Sequence, residues 1–382
     1  MRSTRASLFA VCALAVSCNF RPGTLLGEDG SPGDGPRDGS IDARLCFGSG
    51  LITVCLTQPP RPDFSTTGAL DLNTDTDCTQ TQTQDGGPDL CIVAAQTIHI
   101  DHDVDVRGLR SLVIVATDTL SIGANGLLDL SSHYTTDFFG NINGQQIGAG
   151  EASPDLCGTG TQGANDAQGT TSTGAGGGAG GSLGGMGGAG AAGRNGAGGA
   201  GGMPSAPIAV TFVRGGCRGT PGGNGDNNNG GPGGHGGGAV YLIAGTSITI
   251  AGRINASGQG GHGGEATAGG GGGGGGGLIG LDAPNVTSSG IVFANGGGGG
   301  EGGGSSSRGD YGSSGLSATQ RAAGGSGQMN GGNGGRGAAG TFIDGEAGSS
   351  DTNGGGAGGG GIGVIRVFPL QLLGGTVSPA PS

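Results

Sequence analysis

Residues 269–277 are nine consecutive glycines, and Leu278-Ile279-Gly280-Leu281, a stretch with strand character, follows without a break. Nine residues without side chains bring no apolar surface to bury, so a hydrophobic core cannot order them. Glycine also loses more backbone freedom on folding than any other residue. Such a run is either a linker ahead of a separate domain or part of a structure ordered through its backbone. Its position in the surrounding sequence separates the two.

That position is inside a repeat. When AVYLIAGTSITIAGRINASG (239–258) is set above GLIGLDAPNVTSSGIVFANG (277–296), a shift of 38 places Ile248 on Val286, Thr249 on Thr287, Gly252 on Gly290, Ile254 on Val292 and Ala256 on Ala294. An earlier copy, VIVATDTLSIGANGLLDLSS (113–132), carries Leu120, Ile122, Gly126, Leu128 and Leu130 at the same places after a two-residue insertion. A weaker copy spans 362–382 with Leu370, Leu372, Gly374 and Val377, and a fifth spans 91–108 with Ile98, Ile100, Val104 and Val106 alternating. Each reads as strand, glycine turn, strand. Alternation at period two gives each strand one buried and one exposed side. No copy can bury its apolar side alone, so stacking is required, as a β-solenoid or a small sandwich in a mainly β fold.

The glycine blocks, 133–238, 257–277 and 296–361, lie between copies. Loops of that length without structure are improbable in a compact domain. They are either disordered insertions or extended glycine strands packed on one another. The second option has a mechanism: a helix of three residues per turn makes no internal hydrogen bonds, and without side chains neighbouring helices approach and pair laterally. Ordered packing is the expectation adopted.

Composition narrows the setting. All 16 basic residues are Arg, and the net charge is −12. That balance argues against nucleic acid, which needs clustered positive charge. MRSTRASLFAVCALAVSC (1–18) has two arginines, a short apolar run and small residues before a cysteine, the pattern of an export signal. Residues 18–45 are rich in Pro, Gly and acids and read as a disordered tether. Residues 46–90 form a polar Cys-containing segment ahead of a β-repeat body at 91–382. Apart from Cys12 and Cys18, six cysteines remain, an even count that suits three disulfides in an exported chain. Fifteen connectivities are open; pairing of neighbours, Cys46 with Cys55, Cys78 with Cys91 and Cys157 with Cys217, is favoured over a zinc site, since no C-x-x-C knuckle is present.

Ala15-Val16-Ser17-Cys18 resembles a bacterial lipobox, which implies cleavage after residue 17 and lipidation of Cys18; a plain cleaved secretory signal, and so a secreted protein, is the alternative. Asn19 in place of Asp implies the outer membrane. GGGAGGSLGGMGGAGAAG (176–193) and GGNGGRGAAG (331–340) resemble the polyglycine II bundles of snow flea antifreeze proteins, phage tail-tip adhesins and receptor glycine-rich domains. Over nearly the whole mature length, the order of lipobox, acidic tether, paired cysteines, glycine-rich block, AVYLIAGTSITIAGRINASG and a terminal GTVSPAPS is similar to the multicopy glycine-rich lipoproteins of predatory Gram-negative bacteria. That resemblance brings no biochemical activity with it.

Sites are few. DLNTDTD (71–77) has Asp71, Asn73, Asp75 and Asp77 at the two-residue spacing of a calcium loop, but Thr76 stands where the loop needs glycine and no closing Glu follows. In IHIDHDVDV (98–106), continued alternation would set His99, Asp101, Asp103 and Asp105 in an outward row, read as a solvated edge in preference to a cation site. GGSLG (180–184) fits G-x-S-x-G without the strand and helix that a nucleophile elbow needs. Arg308-Gly309-Asp310 is read as coincidence in a Ser-Gly loop. The expectation is a non-enzymatic structural or adhesive cell-surface lipoprotein without a cofactor, facing cell-envelope or matrix components and held to the outer membrane by its lipid. Two alternatives are kept. An exported carbohydrate-active enzyme would line a cleft with several of Asp101, Asp103, Asp105, Arg107 and Arg110. An ice-binding protein would need a flat uncharged face with regular Thr or Ala.

Overall fold

A computed structural model describes residues 45–136, 142–166, 174–327 and 330–382; Cys18 and the tether up to residue 44 lie outside them. The first element among the described residues is a hairpin, β1 (Leu45–Phe47) and β2 (Val54–Leu56), closed by the Cys46–Cys55 disulfide. A short coil follows, β3 (Arg61–Ser65) and β4 (Leu70–Asn73), and then β5 (Gln80–Gln82). The next coil is β6 (Leu90–Ile100) and β7 (Asp103–Arg107), and after it comes β8 (Ser111–Ala116), β9 (Thr119–Ile122) and β10 (Leu127–Asp129). A surface hairpin, β11 (His133–Thr136) and β12 (Ile142–Gln146), precedes the first long glycine block. Two further full coils are β13 (Ala239–Ala244), β14 (Ser247–Ile250), β15 (Arg253–Asn255), and β16 (Leu278–Asp282), β17 (Asn285–Ser288), β18 (Ile291–Phe293). The last coil has β19 (Val364–Phe368) and β20 (Thr376–Ser378).

Pairing makes these coils a parallel β-solenoid with three faces. The first face stacks the start of β6, then β8, β13, β16 and β19. The second stacks β3, the end of β6, then β9, β14 and β17. The third stacks β4, β7, β10, β15, β18 and β20. The repeat alignment is the pairing register: Ile248 opposes Val286, Thr249 opposes Thr287 and Ile254 opposes Val292. Of the two architectures expected, the solenoid is the one formed.

The turn glycines have a steric cause. Between the second and third faces, a Cβ on Gly252 would lie 2.2 Å from the carbonyl oxygens of Gly123 and Gly126 in the coil below, and one on Gly290 would lie 2.0 Å from the Gly252 oxygen. Inside, Ile98, Leu112, Leu120, Leu128, Leu242, Ile248, Ile254, Ile279 and Val292 form one continuous apolar core.

Three expectations are corrected. Strands of the first face are buried on both sides, not one: Leu90, Ile92, Val113, Val115, Tyr241, Ile243 and Leu278 point outward into a second cluster with Val54, Leu56, Leu183 and Val213. That is why AVYLIA reads as an unbroken apolar run. In the last copy, Leu370 and Leu372 are 70% and 98% exposed, because the chain lacks a strand on the second face there; only Val377 takes its expected place, opposite Val292. The row from His99 to Asp105 is broken at residues 101 and 102, where the chain turns from the second face to the third. Residues 61–73 also add a coil to the same sheets, pairing Phe64 with Ile98 and Leu72 with Val106.

All three glycine blocks leave the third face and return to the first, between β10 and β13, β15 and β16, and β18 and β19. The solenoid thus brings them to one corner of successive coils. There the nine glycines are enclosed. Each of their N–H groups donates to a backbone carbonyl at 2.7–3.1 Å, and the acceptors change with period three. Gly269, Gly272 and Gly275 bond Gly223, Thr220 and Cys217; Gly270, Gly273 and Gly276 bond Gly355, Gly358 and Gly361; Gly271, Gly274 and Gly277 bond His262, Gln259 and Ala256. Their carbonyls accept from three other segments, through Gly231 and Gly234, Gly178 and Gly181, and Gly297 and Gly300. Six neighbours leave no direction open for a side chain. Segments around this centre have a free side, and there every third residue carries a side chain, as at Arg218, Pro221 and Asn224 or Asn333 and Arg336, all exposed.

Candidate functional site

The DLNTDTD segment folds as a turn fastened to the corner between β7 and β8. Asp77 accepts from the Asn73 N–H at 2.8 Å and from the Thr76 hydroxyl at 2.9 Å, and the Asn73 side chain accepts from the Asp75 N–H at 2.9 Å. The backbone at Asn73 and the Thr76 hydroxyl hold the Asp77 carboxyl below its usual range. Asp75 accepts from the Leu109 N–H at 3.1 Å and faces Arg110 at 3.8 Å, while Asp71 pairs with Arg107 at 3.5 Å. The spacing that resembles a calcium loop is thus used by local turns and by two arginines. Among the described residues, no three His, Cys, Asp or Glu side chains are arranged to hold a metal ion.

The other acidic candidates separate at the corner. Asp101 and Asp103 are exposed, whereas Asp105 stacks on the third face between Asp71 and Asp129, with Asn255 next in the column. Burial, then the neighbouring Asp129 and Asp71 carboxylates, raises the Asp105 carboxyl above its ordinary value. Burial also raises Asp129, against the Ser131 N–H it accepts at 2.8 Å.

A cleft of about 690 Å³ is lined by Asp75, Asp89, Arg110, Glu151 and Arg218 among others. Of the expected enzyme set, only Arg110 reaches it. Two of its carboxylates are committed: Asp75 as above, and Glu151 to the His235 ring at 2.7 Å and the Gly236 N–H at 2.8 Å. The described lining residues include no aromatic ring, which a sugar cleft uses for stacking.

Sequence reasoning missed two surface features. One is a ring cluster over the glycine layer: Tyr134 of β11 meets His262 and Tyr311 edge-on, each at 5.3 Å, and its hydroxyl donates to the Gly260 carbonyl at 2.5 Å. Nothing local in the sequence joins residues so far apart. The other is the outer side of the second face. Ser65, His99, Ser121, Thr249 and Thr287 form one column, and Thr119, Ser247 and Asn285 a second beside it. The ranks Thr119-x-Ser121, Ser247-x-Thr249 and Asn285-x-Thr287 therefore lie in register, uncharged and about 4.8 Å apart, with about 6.7 Å between the two columns. The signal was the alternation in TLSI, SITI and NVTS.

Comparison of the chain with protein-family models, curated proteins and solved structures returns no match. Three disulfides, Cys46–Cys55, Cys78–Cys91 and Cys157–Cys217, mark an extracytoplasmic protein. No helix among the described residues is long and apolar enough to cross a membrane.

Proposed function

We propose that this protein is a structural or adhesive component of a bacterial cell surface, anchored in the outer membrane through lipid on Cys18, its glycine blocks forming a polyglycine II-type bundle. The observation that carries the reading is the enclosure of residues 269–277 by six hydrogen-bonded backbone segments. A body stiffened in this way presents a broad, weakly charged surface, and its partners are envelope or extracellular matrix components met by shape and multivalent contact. A catalytic role gains little support from the cleft, where Asp75 and Glu151 are engaged by Arg110, His235 and backbone N–H groups. The test is metabolic labelling with a palmitate analogue, together with protease accessibility on intact cells. Wild type should be labelled and surface-cleaved, and Cys18→Ala should lose the label and leave the membrane fraction. An unlabelled wild-type protein would overturn the anchor, and a protein inaccessible on intact cells would overturn the surface role.

Ice binding is a second reading, favoured by the hydroxyl ranks of the second face. A two-dimensional array of side chains in register, repeating at the strand spacing, suits a periodic crystalline partner better than a flexible one. The protein should slow ice recrystallisation, and Thr249→Tyr with Thr287→Tyr should abolish the effect without changing the fold. Unimpeded recrystallisation by the wild type would end this reading.

A further inference from the structure

Arg214 is one of the largest fully buried side chains, 1% exposed. Its Nη1 donates to the Leu156 carbonyl at 2.5 Å and its Nε to the Gly215 carbonyl at 3.2 Å. The remaining nitrogen, Nη2, sits 3.0 Å from Cys217 Sγ and 3.5 Å from Cys157 Sγ. Among the described residues no carboxylate forms an ion pair with it; Asp155 acts only electrostatically. A buried cation facing a neutral disulfide is an unbalanced arrangement, since a buried charge is costly unless paired. Breaking the disulfide would supply the missing anion, a thiolate on Cys217.

The two sulfurs also differ in access. Cys217 is 1% exposed, whereas Cys157 is half-buried, and a cavity of about 290 Å³ opens on them between Gly158, Ser205, Arg218 and Thr220. The exposed Arg218 gives this cavity a positive rim. That suits a small thiol bearing carboxylates.

We propose that the Cys157–Cys217 disulfide is a redox-reactive modification site that exchanges with acidic low-molecular-weight thiols. The incoming thiolate attacks Cys157 Sγ, a new S–S bond forms there, the Cys157–Cys217 bond breaks, and its electron pair leaves on Cys217 as a thiolate beside Arg214. The products are a mixed disulfide on Cys157 and one thiolate, so no further oxidant or reductant is required. Exchange is faster the better the leaving thiolate is stabilised, which is the part assigned to Arg214.

The experiment exposes the oxidised protein to glutathione and maps peptides by mass spectrometry over time, with Cys46–Cys55 and Cys78–Cys91 as internal controls. The expected result is a glutathione adduct on Cys157, formed at least about tenfold faster than any adduct on the other four cysteines. Arg214→Met should slow it by about tenfold or more, in line with the effect of an adjacent opposite charge, and Arg214→Lys should restore part of the rate. Equal rates at all three disulfides, an adduct on Cys217, or an Arg214→Met protein that reacts like wild type would overturn the proposal. If Arg214→Met does not fold, Cys157→Ser supplies the answer. Its free Cys217 should show a thiolate fraction at pH 7 at least about tenfold above that of an ordinary cysteine, read from alkylation rate against pH. An ordinary thiolate fraction would overturn the proposal equally.

Discussion

At the scale of single residues, the glycines of 269–277 are not interchangeable with alanine, and not equally so. A Cβ on Gly272 would lie 1.8 Å from the Ala179 carbonyl oxygen, while one on Gly275 would lie 3.0 Å from that of Gly181. Gly272→Ala must therefore push a backbone segment aside and should cost about 2 kcal/mol or more, the range for overpacking a tight interior. Gly275→Ala asks for a shift of a few tenths of an ångström, offset by the entropy that alanine removes from the unfolded chain, and should be within about 1 kcal/mol of wild type. Chemical denaturation of the two variants side by side checks the contrast; equal losses would mean that the contacts differ from those described. A second residue-scale prediction concerns Asp129. It stands in register with Asn255 of the next coil, and each side chain accepts the N–H two residues on, Ser131 and Ser257. Asp129→Asn keeps that acceptor and removes a buried charge whose ionisation is opposed by burial. It should raise stability at pH 7 by about 1 kcal/mol, seen as a higher denaturation midpoint.

Among the elements, the hairpin β11–β12 is held to the glycine layer by the Tyr134, His262 and Tyr311 rings, and this contact is pH-sensitive. Burial, with Arg308, Arg218 and His235 nearby, pushes His262 down to about 4. The folded protein holds this ring neutral, so its contribution to stability is complete above the ordinary histidine value near 6.5 and is lost as pH falls toward 4. The raised carboxyls of Asp105 and Asp129 act in the opposite sense as they protonate. Comparison with His262→Phe isolates the histidine: wild type should lose more stability between pH 7 and pH 4 than the variant does, and parallel curves would contradict the assignment. The elements also show what the sequence made legible. Strand spacing, glycine turns and the shift of 38 were readable because each coil must repeat the one beneath it, and Ile248 opposite Val286 is that rule in three dimensions. The double burial of the first face was not readable, because its cover comes from Val54, Leu183 and Val213, distant in sequence. Leu370 and Leu372 misled because apolar residues at alternating places do not by themselves make a strand, and none forms on the second face between β19 and β20.

For the whole body, the arrangement explains why a chain with 102 glycines can hold one structure. A net hydrogen bond contributes about 1 kcal/mol, while fixing a residue's backbone costs about 1–2 kcal/mol, so an isolated glycine helix would not persist. Here the solenoid fixes both ends of every excursion at the same corner, between β10 and β13, β15 and β16, and β18 and β19, and much of the ordering is supplied by its apolar core. The nine glycines then run into β16 because they are the return leg of one excursion, with Gly277 bonded to Ala256 and Leu278 to Gly238. The fold thus requires these nine residues to be ordered. Amide hydrogen exchange of the purified, disulfide-intact protein tests that most directly. Residues 269–277 should be protected to the same order as the core strand β13, and exchange at the rate of an unstructured glycine chain would contradict it.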